Sequence, residues 1–292
     1  GGAQVISEAL RETYTEPVYS VGILPDRDDG LQSMNAARSF KTMIDKTDGF
    51  VMFDNASWQV TGETTQEAHQ KMNRELIKRF GLLCRAGEIS DSSEVGETVV
   101  DAQEIINTLG SNRNPSQGIT TIGYSEASLP QEVLNRGGGG GLLSRFRSSS
   151  SDEESMEESV QATNRITSQV RQAVRGRLTV PADVESTQRA LVVVAGPPEA
   201  INRRGVKEAR NWVEEQTECQ EVRGGDYPIP GSSKLQVVVC LSGLTESDRI
   251  KEVQELGAEA EIQKNKLDEQ KDLDQLLRDT DPEDDSDLNS LF

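Results

Sequence analysis

Cysteine and histidine are scarce in this sequence. The three cysteines, Cys84, Cys219 and Cys240, lie far apart without CxxC spacing, and His69 is the only histidine. Disulfide frameworks and zinc sites need several thiol or imidazole groups at short, regular spacing. The sequence therefore predicts no disulfide framework and no metal site.

Long apolar runs and an excess of basic residues are also lacking. No segment approaches the roughly 20 apolar residues that span a bilayer, and no signal-peptide pattern opens the sequence. We therefore expect a cytoplasmic protein without direct membrane insertion. The 50 acidic residues outnumber the 31 basic ones, for a net charge of −19. We expect no nucleic-acid partner, because such a protein repels a polyanion, and the acidic excess suits a protein that works in high salt.

The length and the low apolar content together predict folded domains with disorder confined to particular segments. The 292 residues leave room for two moderate domains, but only 34% are hydrophobic. Five glycines, a serine run and an acidic run occupy 137–158, which predicts a disordered insertion. Residues 263–292 are rich in charge and predict an acidic disordered tail.

A long amphipathic helix is predicted over about 63–86. Thr64 and Glu67 fit a capping box at its start. Roughly 22 helical residues span about 33 Å, so this helix is expected to act as a central strut. Its predicted buried stripe comprises Ala68, Met72, Leu76, Phe80 and Cys84, widened by Ile77 and Leu83.

Asp101 and Glu104 follow this helix. Val100, Ile105 and Ile106 are expected to anchor a short helix, which leaves both carboxylates directed away from the core. Two alternatives stay open from the residues alone: the acids act chemically, or they offset the dipole of a helix N-terminus.

The first 60 residues alternate between helices and short apolar strands. Helices are predicted to about 14 and over 34–46, and strands over 17–24 and 50–53, a rhythm typical of a doubly wound α/β domain. The polar loop at 25–30 follows a strand, where open α/β sheets bind ligands. Gly1 and Gly2 before a helix suit close approach to an anion, although a flexible start fits them equally.

A second, smaller α/β or α+β domain is predicted downstream. Loops are expected at 196–198 and 224–228 because of their glycines and prolines. The predicted strands cover 119–124, 189–195 and 235–242, and the predicted helices cover 160–175, 205–215 and 246–261.

The motifs jointly resemble the tubulin/FtsZ superfamily, and most of all the CetZ group of archaeal tubulin-like proteins. The superfamily motifs are GGA at 1–3, EPVY at 16–19, NAARSF at 35–40, DN at 54–55 and DAQE at 101–104. The CetZ-like motifs are GLLSRF at 141–146, TNRITS at 163–168, AGPP at 195–198 and EVRGGDYP at 221–228.

The resemblance implies a two-domain α/β architecture. Residues 1–60 are expected to form the C-terminal part of a Rossmann-like GTPase domain, and 61–97 the central helix with its following turn. Residues 98–262 are expected to form the C-terminal activation-type domain. The tail at 263–292 lies outside the resemblance and is a possible site for protein partners.

The resemblance further implies a GTPase that polymerises into filaments and hydrolyses GTP between subunits, with control of archaeal cell shape or motility. Gly1 and Gly2 correspond to phosphate-binding positions, Asp26 to a ribose-binding position, and Asn35 and Asn55 to guanine-binding positions. Asp101 and Glu104 would act on GTP bound to the adjoining subunit, with Mg²⁺ accompanying the GTP or GDP. Turn or cap roles remain the alternative for Asp26 and both asparagines.

Two departures from the family pattern motivate a competing hypothesis. Val99 stands where FtsZ has an asparagine, and the family segment before the glycine signature is absent from the printed sequence. The alternative function is a truncated or degenerate member that acts as a structural or regulatory filament partner without hydrolysing GTP, so the chain alone is expected to be a weak or inactive enzyme.

Overall fold

A computed structural model describes residues 2–26, 30–60, 62–88, 100–110, 119–137, 152–219, 221–245 and 247–279, which form the predicted α/β fold. The helices are α1 (Gly2–Thr13), α2 (Gly30–Lys46), α3 (Thr65–Ala86), α4 (Ala102–Leu109), α5 (Gln131–Gly137), α6 (Asp152–Arg175), α7 (Arg203–Thr217) and α8 (Asp248–Asp279). The strands are β1 (Tyr19–Leu24), β2 (Gly49–Asp54), β3 (Ile119–Ser128), β4 (Arg189–Gly196), β5 (Glu221–Pro228) and β6 (Lys234–Ser242).

The strands form one mixed sheet in the order β1-β2-β3-β6-β4-β5. β1, β2 and β3 are parallel, β6 runs antiparallel to both its neighbours, and β4 and β5 are parallel. The junction between β2 and β3 is narrow, with only the pairs Phe50–Ile119 and Val51–Thr120 in register. This junction joins the predicted nucleotide-binding part to the predicted C-terminal domain, and the domain boundaries themselves stay a prediction.

Helices cover both faces of the sheet. Phe50 and Met52 of β2 belong to the apolar core shared with α2, α6, α7 and α8. Val51 belongs to the opposite core, which includes residues of α3 and α4, and Phe53 packs beside it against the start of α3. Strands buried on both faces need continuous apolar runs, which is why the sequence of β2 shows no polar alternation.

The central helix is confirmed, but its buried face differs from the predicted stripe. Thr64 and Glu67 form the expected capping box, and Ala68 and Met72 are buried. Cys84 is exposed, however, and Ile77 is 68% exposed. A strict four-residue spacing advances about 40° around the helix at each step, so the predicted stripe drifts off the buried face.

The predicted loop at 224–228 is wrong, because these residues belong to β5. Gly224 has a φ of +157°, and a Cβ atom there would lie 2.4 Å from the carbonyl oxygen of Val192 in β4. The glycine therefore marks a close approach of two strand backbones, a role that sequence patterns share with turns.

Two predicted disordered segments are partly helical. Residues 152–158 begin α6, where Asp152, Glu153 and Glu154 favour a helix N-terminus. Residues 263–279 continue α8, and their leucine, lysine and glutamine residues are strong helix formers. The predictions for 138–151 and 280–292 lie outside the described residues. None of the helices in the described ranges is both long enough and apolar enough to cross a membrane.

Candidate functional site

A cleft runs along β1 from Ser20 between this strand and α2, and it reaches the carboxyl ends of β1 and β2. Leu24 and Asp54 end these strands and are register partners, so the loops after them emerge side by side. The cleft has a volume of about 450 Å³, and Pro25, Asn35 and Asn55 contribute to its lining. Both its size and its position at the ends of parallel strands are typical of small-ligand sites.

The two predicted asparagines meet in this cleft. Asn35 is exposed on α2, and Asn55 is half-buried at the start of the short 3₁₀ turn Asn55–Ser57. The backbone oxygen of Asn55 accepts a hydrogen bond from Trp58 N at 2.9 Å, which closes the turn. Each side-chain amide can both donate and accept hydrogen bonds, as recognition of a heterocyclic base requires.

Two other predicted ligand-binding residues, Gly2 and Asp26, are next in sequence to residues that line the cleft. Gly1 lies outside the described residues, Gly2 begins α1, and Ala3 lines the cleft. Asp26 directly follows the lining residue Pro25. Its Oδ1 atom is buried and has no hydrogen-bond partner within the described part of the chain. A buried acceptor without a partner fits a ligand that brings a hydroxyl donor.

Sequence reasoning missed three polar residues that line the same cleft: Ser20, Gln32 and Ser39. Gln32 and Ser39 lie three residues before and four residues after Asn35. This spacing places all three side chains on one face of α2, so the helical period was the signal that could have identified them.

The predicted acids lie at the N-terminus of α4. Asp101 is exposed and caps the helix, its Oδ1 accepting a hydrogen bond from Glu104 N at 2.8 Å. Glu104 is half-buried, and its Oε2 has no hydrogen-bond partner among the residues that the structure describes. Burial, followed by the charge of Asp101, raises the pKa of Glu104, while the cations of Arg210 and Arg223 partly offset this rise.

The helix that carries the acids and the turn that carries Asn55 lie at opposite ends of β1 and β2. The C-terminal end of α4 packs against the first residue of β1, where Tyr19 Oη donates hydrogen bonds to Ile106 O at 3.3 Å and Gly110 O at 3.1 Å. Asn55 follows the last residue of β2, and the cleft extends from there back along β1 to Ser20.

The long helix α3 links the two ends. Near its start, Met72 packs with Phe53 and Trp58 beside the cleft. Near its end, a Cβ atom on Gly87 would lie 2.7 Å from Ile105 Cδ1 of α4. The 22 residues of α3 span about 33 Å, a length that separates Asn55 from the acids of the same chain.

Within the described ranges, no group of three or more His, Cys, Asp or Glu side chains could hold a metal ion. A divalent cation in this cleft would therefore depend on oxygen atoms of a ligand and on water, a common arrangement for Mg²⁺ beside phosphates.

Comparison with known proteins identifies the family. The profile described as "Tubulin-like CetZ, C-terminal domain" matches residues 62–259. The tubulin-like protein CetZ1 of Haloferax volcanii is 47% identical over 262 residues, a match that covers 89% of this chain and 64% of that protein. The chain thus spans somewhat less than two thirds of this relative's length.

Solved structures show the same relationship. The structure of the GDP-bound CetZ1 monomer from H. volcanii superposes with a TM-score of 0.72 at 42% identity, covering 89% of this chain and 66% of that one. The GTPγS-bound protofilament of H. volcanii CetZ2 gives a TM-score of 0.69 at 34% identity, covering 91% and 67%. The long profile match and the high identity agree with the sheet and central helix described above, and the chain belongs to the CetZ family of tubulin-like proteins.

Proposed function

We propose that this chain belongs to a cytoskeletal GTPase whose active site is completed between two subunits. The observation that carries the proposal is the separation of the two predicted groups by the length of α3, with the turn that carries Asn55 near its start and Asp101 and Glu104 near its end. A head-to-tail contact between copies would place the acids of one chain over the cleft of the next. Such heterologous contacts extend into open filaments.

The cleft residues are proposed to bind GTP and GDP. Asn35 and Asn55 hydrogen-bond the guanine, Asp26 accepts from a ribose hydroxyl, and Gly1 and Gly2 border the phosphates at the N-terminus of α1. The unpartnered Oδ1 of Asp26 and the two amides in the cleft suit this ligand. The related structures with GDP and GTPγS support a guanine nucleotide.

The acids are proposed to orient the water that attacks the terminal phosphate. Phosphoryl transfer is catalysed mainly by positioning and by neutralising charge, so a carboxylate that holds the attacking water can suffice. Asp101 is exposed and can face a neighbouring subunit, whereas Glu104 is partly covered by its own chain. Mg²⁺ accompanies the nucleotide and neutralises charge on the phosphates.

The cellular role of the filament, control of cell shape or motility in an archaeon, is part of the same proposal. It rests on membership of the CetZ family, and the CetZ2 protofilament supports self-association. The strong negative charge accords with the Haloferax origin of the most similar relatives and with a cytoplasm of high salt content.

Complementation between two variants tests the shared site. Glu104→Ala keeps the cleft and should lose turnover by about 100-fold or more, the typical contribution of a group that handles the attacking water. Asn55→Ala keeps the acids and should bind GTP weakly. Each homopolymer should be nearly inactive, but a mixture should regain activity wherever an intact cleft meets intact acids.

The measurement is phosphate release at equal total protein, using the chain together with any residues that its gene encodes before Gly1. Glu214→Ala, which removes an exposed acid of α7, is the matched control and should behave as the parent protein. The rate per molecule of the parent should also rise with protein concentration. A mixture that yields only the sum of the two separate rates would contradict the shared site.

A non-hydrolysing filament partner is the second candidate, favoured by one observation. Asp101 already caps α4, and Glu104 directs one carboxylate oxygen into its own chain. Under this alternative, GTP drives pelleting of polymer without phosphate release, and Glu104→Ala changes neither quantity.

A further inference from the structure

A buried arginine of the last helix ties together the two loops that border the cleft. Arg249 lies in the first turn of α8 and is only 2% exposed. Its Nε donates to Asp54 Oδ1 at 3.0 Å, and its Nη2 donates to Pro25 O at 3.0 Å. One guanidinium group therefore bridges the carboxyl ends of β1 and β2 from an element almost 200 residues away in the chain.

The two partners of Arg249 at the strand ends each directly precede a predicted nucleotide-binding residue. Pro25 precedes Asp26, and Asp54 precedes Asn55. The second carboxylate oxygen of Asp54 accepts a hydrogen bond from Ser57 Oγ at 2.5 Å, at the far end of the turn that carries Asn55. Arg249 and Ser57 thus hold the Asp54 carboxylate between them, and its position sets that of the turn.

The first turn of α8 is itself anchored. Ser247 Oγ donates to Pro181 O at 2.5 Å and accepts from Ile250 N at 3.3 Å. Glu252 also pairs with Arg249, its Oε1 lying 2.8 Å from Nη1. The guanidinium is therefore held on the α8 side as well as on the cleft side, and it can transmit the position of α8 to both loops.

A gain in stability alone does not explain the buried ion pair between Arg249 and Asp54. Removing two charges from water is costly, and replacing a buried ion pair with apolar residues is often neutral or stabilising. The directional bonds of a planar guanidinium do fix geometry, and lysine cannot reproduce two of them at once. The arrangement is suited to fixing the positions of the two loops relative to each other.

We propose that Arg249 is a positioning residue of the nucleotide site, setting the placement of Asn55 and thereby the selectivity for guanine over adenine. This inference rests on the proposed function. It makes base discrimination depend on the first turn of α8, far from the cleft in sequence and without contact to the nucleotide.

The test compares the dissociation constants of GTP and ATP for the parent protein, Arg249→Lys, Asn55→Ala and the double variant. The GTP preference should fall about tenfold in Arg249→Lys, roughly the effect of one misplaced hydrogen bond. If Arg249 acts through Asn55, the double variant should lose no more selectivity than Asn55→Ala alone. Asp54→Asn, which changes the partner of Arg249, should cause the same loss of GTP preference.

Arg189→Lys provides the control, because Arg189 is a half-buried arginine of β4 whose Nε donates to Thr108 O of α4 at 3.1 Å, at the opposite end of the strands from Asn55. It should lower the melting temperature without changing the ratio of the two constants. An Arg249→Lys protein that melts lower yet keeps the parent ratio would overturn the positioning role and leave the proposed function intact. A parent protein without any preference for GTP would overturn both.

Discussion

The hydroxyl group of Tyr19 donates a hydrogen bond to the carbonyl oxygen of Gly110 across 3.1 Å. This bond joins the first residue of β1 to the residue that ends α4, and the same hydroxyl lies 3.3 Å from Ile106 O. Since β1 and β2 run away from this contact, it holds α4 at the end of these strands opposite Asn55. The separation between the acids and the nucleotide residues thus depends on specific contacts as well as on chain order.

Replacing Tyr19 with phenylalanine should weaken the fold without changing its shape. The ring stays in place, but the two carbonyl groups lose a donor, so the free energy of unfolding in urea should fall by about 1 kcal/mol. Burial raises the pKa of Tyr19 to about 12, so the hydroxyl remains protonated and the deficit should be equal at pH 6 and pH 9. Tyr14→Phe, at a position 57% exposed, is the control and should have almost no effect. Equal losses in both variants would count against the contact.

The packing of α6 on β3 depends on the absence of a side chain at Gly123. A Cβ atom there would lie 2.2 Å from the carbonyl oxygen of Ala173. Gly123→Ala should therefore force the helix away from the sheet and destabilise the protein by about 1–3 kcal/mol. Gly81→Ala is the matched comparison, because a Cβ atom there meets no atom within 4 Å. It should stabilise α3 by about 0.5–1 kcal/mol, and calorimetric melting of both variants should therefore show shifts of opposite sign.

Local patterns predicted most elements because they depend on neighbouring residues. The capping box at Thr64 and the apolar run of β2 are examples. Arg79 shows where such patterns fail: it is buried on α3, with hydrogen bonds to Ile122 O and Arg177 O and its guanidinium 4.6 Å from the Trp58 ring. Those partners come from distant parts of the chain, and no periodicity within α3 indicates them.

In the candidate site, too, some features were predictable from the sequence and others were not. Asn55 was predicted because the DN motif at 54–55 resembles the family pattern, and its guanine role stays a prediction. The partial burial of Glu104 was not foreseeable, because the cations that influence it, Arg210 and Arg223, lie on α7 and β5. The proximity of Arg223 to Glu104 depends on β5, part of which the sequence analysis predicted as a loop because of its glycines.

Thiol labelling tests the corrected face of α3. Cys84 is exposed, whereas Cys219 and Cys240 are buried, and burial raises the pKa of Cys240 to about 12. Because the thiolate is the reactive form, one thiol per native chain should react rapidly with a disulfide reagent, and all three should react in denaturant. Cys84→Ser should remove the rapid reaction. A parent protein whose Cys84 labels no faster than its buried thiols would show that the buried face of α3 is assigned wrongly.

The pH dependence of turnover tests the role of Glu104. Burial and the neighbouring Asp101 raise its pKa above the ordinary glutamate value. Only the ionised carboxylate can accept both protons of an oriented water, so phosphate release should fall as the pH decreases through this raised pKa. The midpoint should lie at a higher pH than an unperturbed glutamate would give.

Changing Arg223, a cation near Glu104, tests whether Glu104 sets the midpoint of this pH profile. Arg223 favours the ionised form of Glu104, so Arg223→Gln should raise the pKa further and move the loss of activity to higher pH. Arg204→Gln removes an exposed cation that pairs with Glu208 on α7, and it should leave the midpoint unchanged. Phosphate release is measured from pH 5 to 8 at a protein concentration that gives equal amounts of pelleted polymer, which separates catalysis from assembly. Coincident profiles for Arg223→Gln and the parent would mean that a group other than Glu104 controls the acid limb, and would remove this residue from the catalytic role.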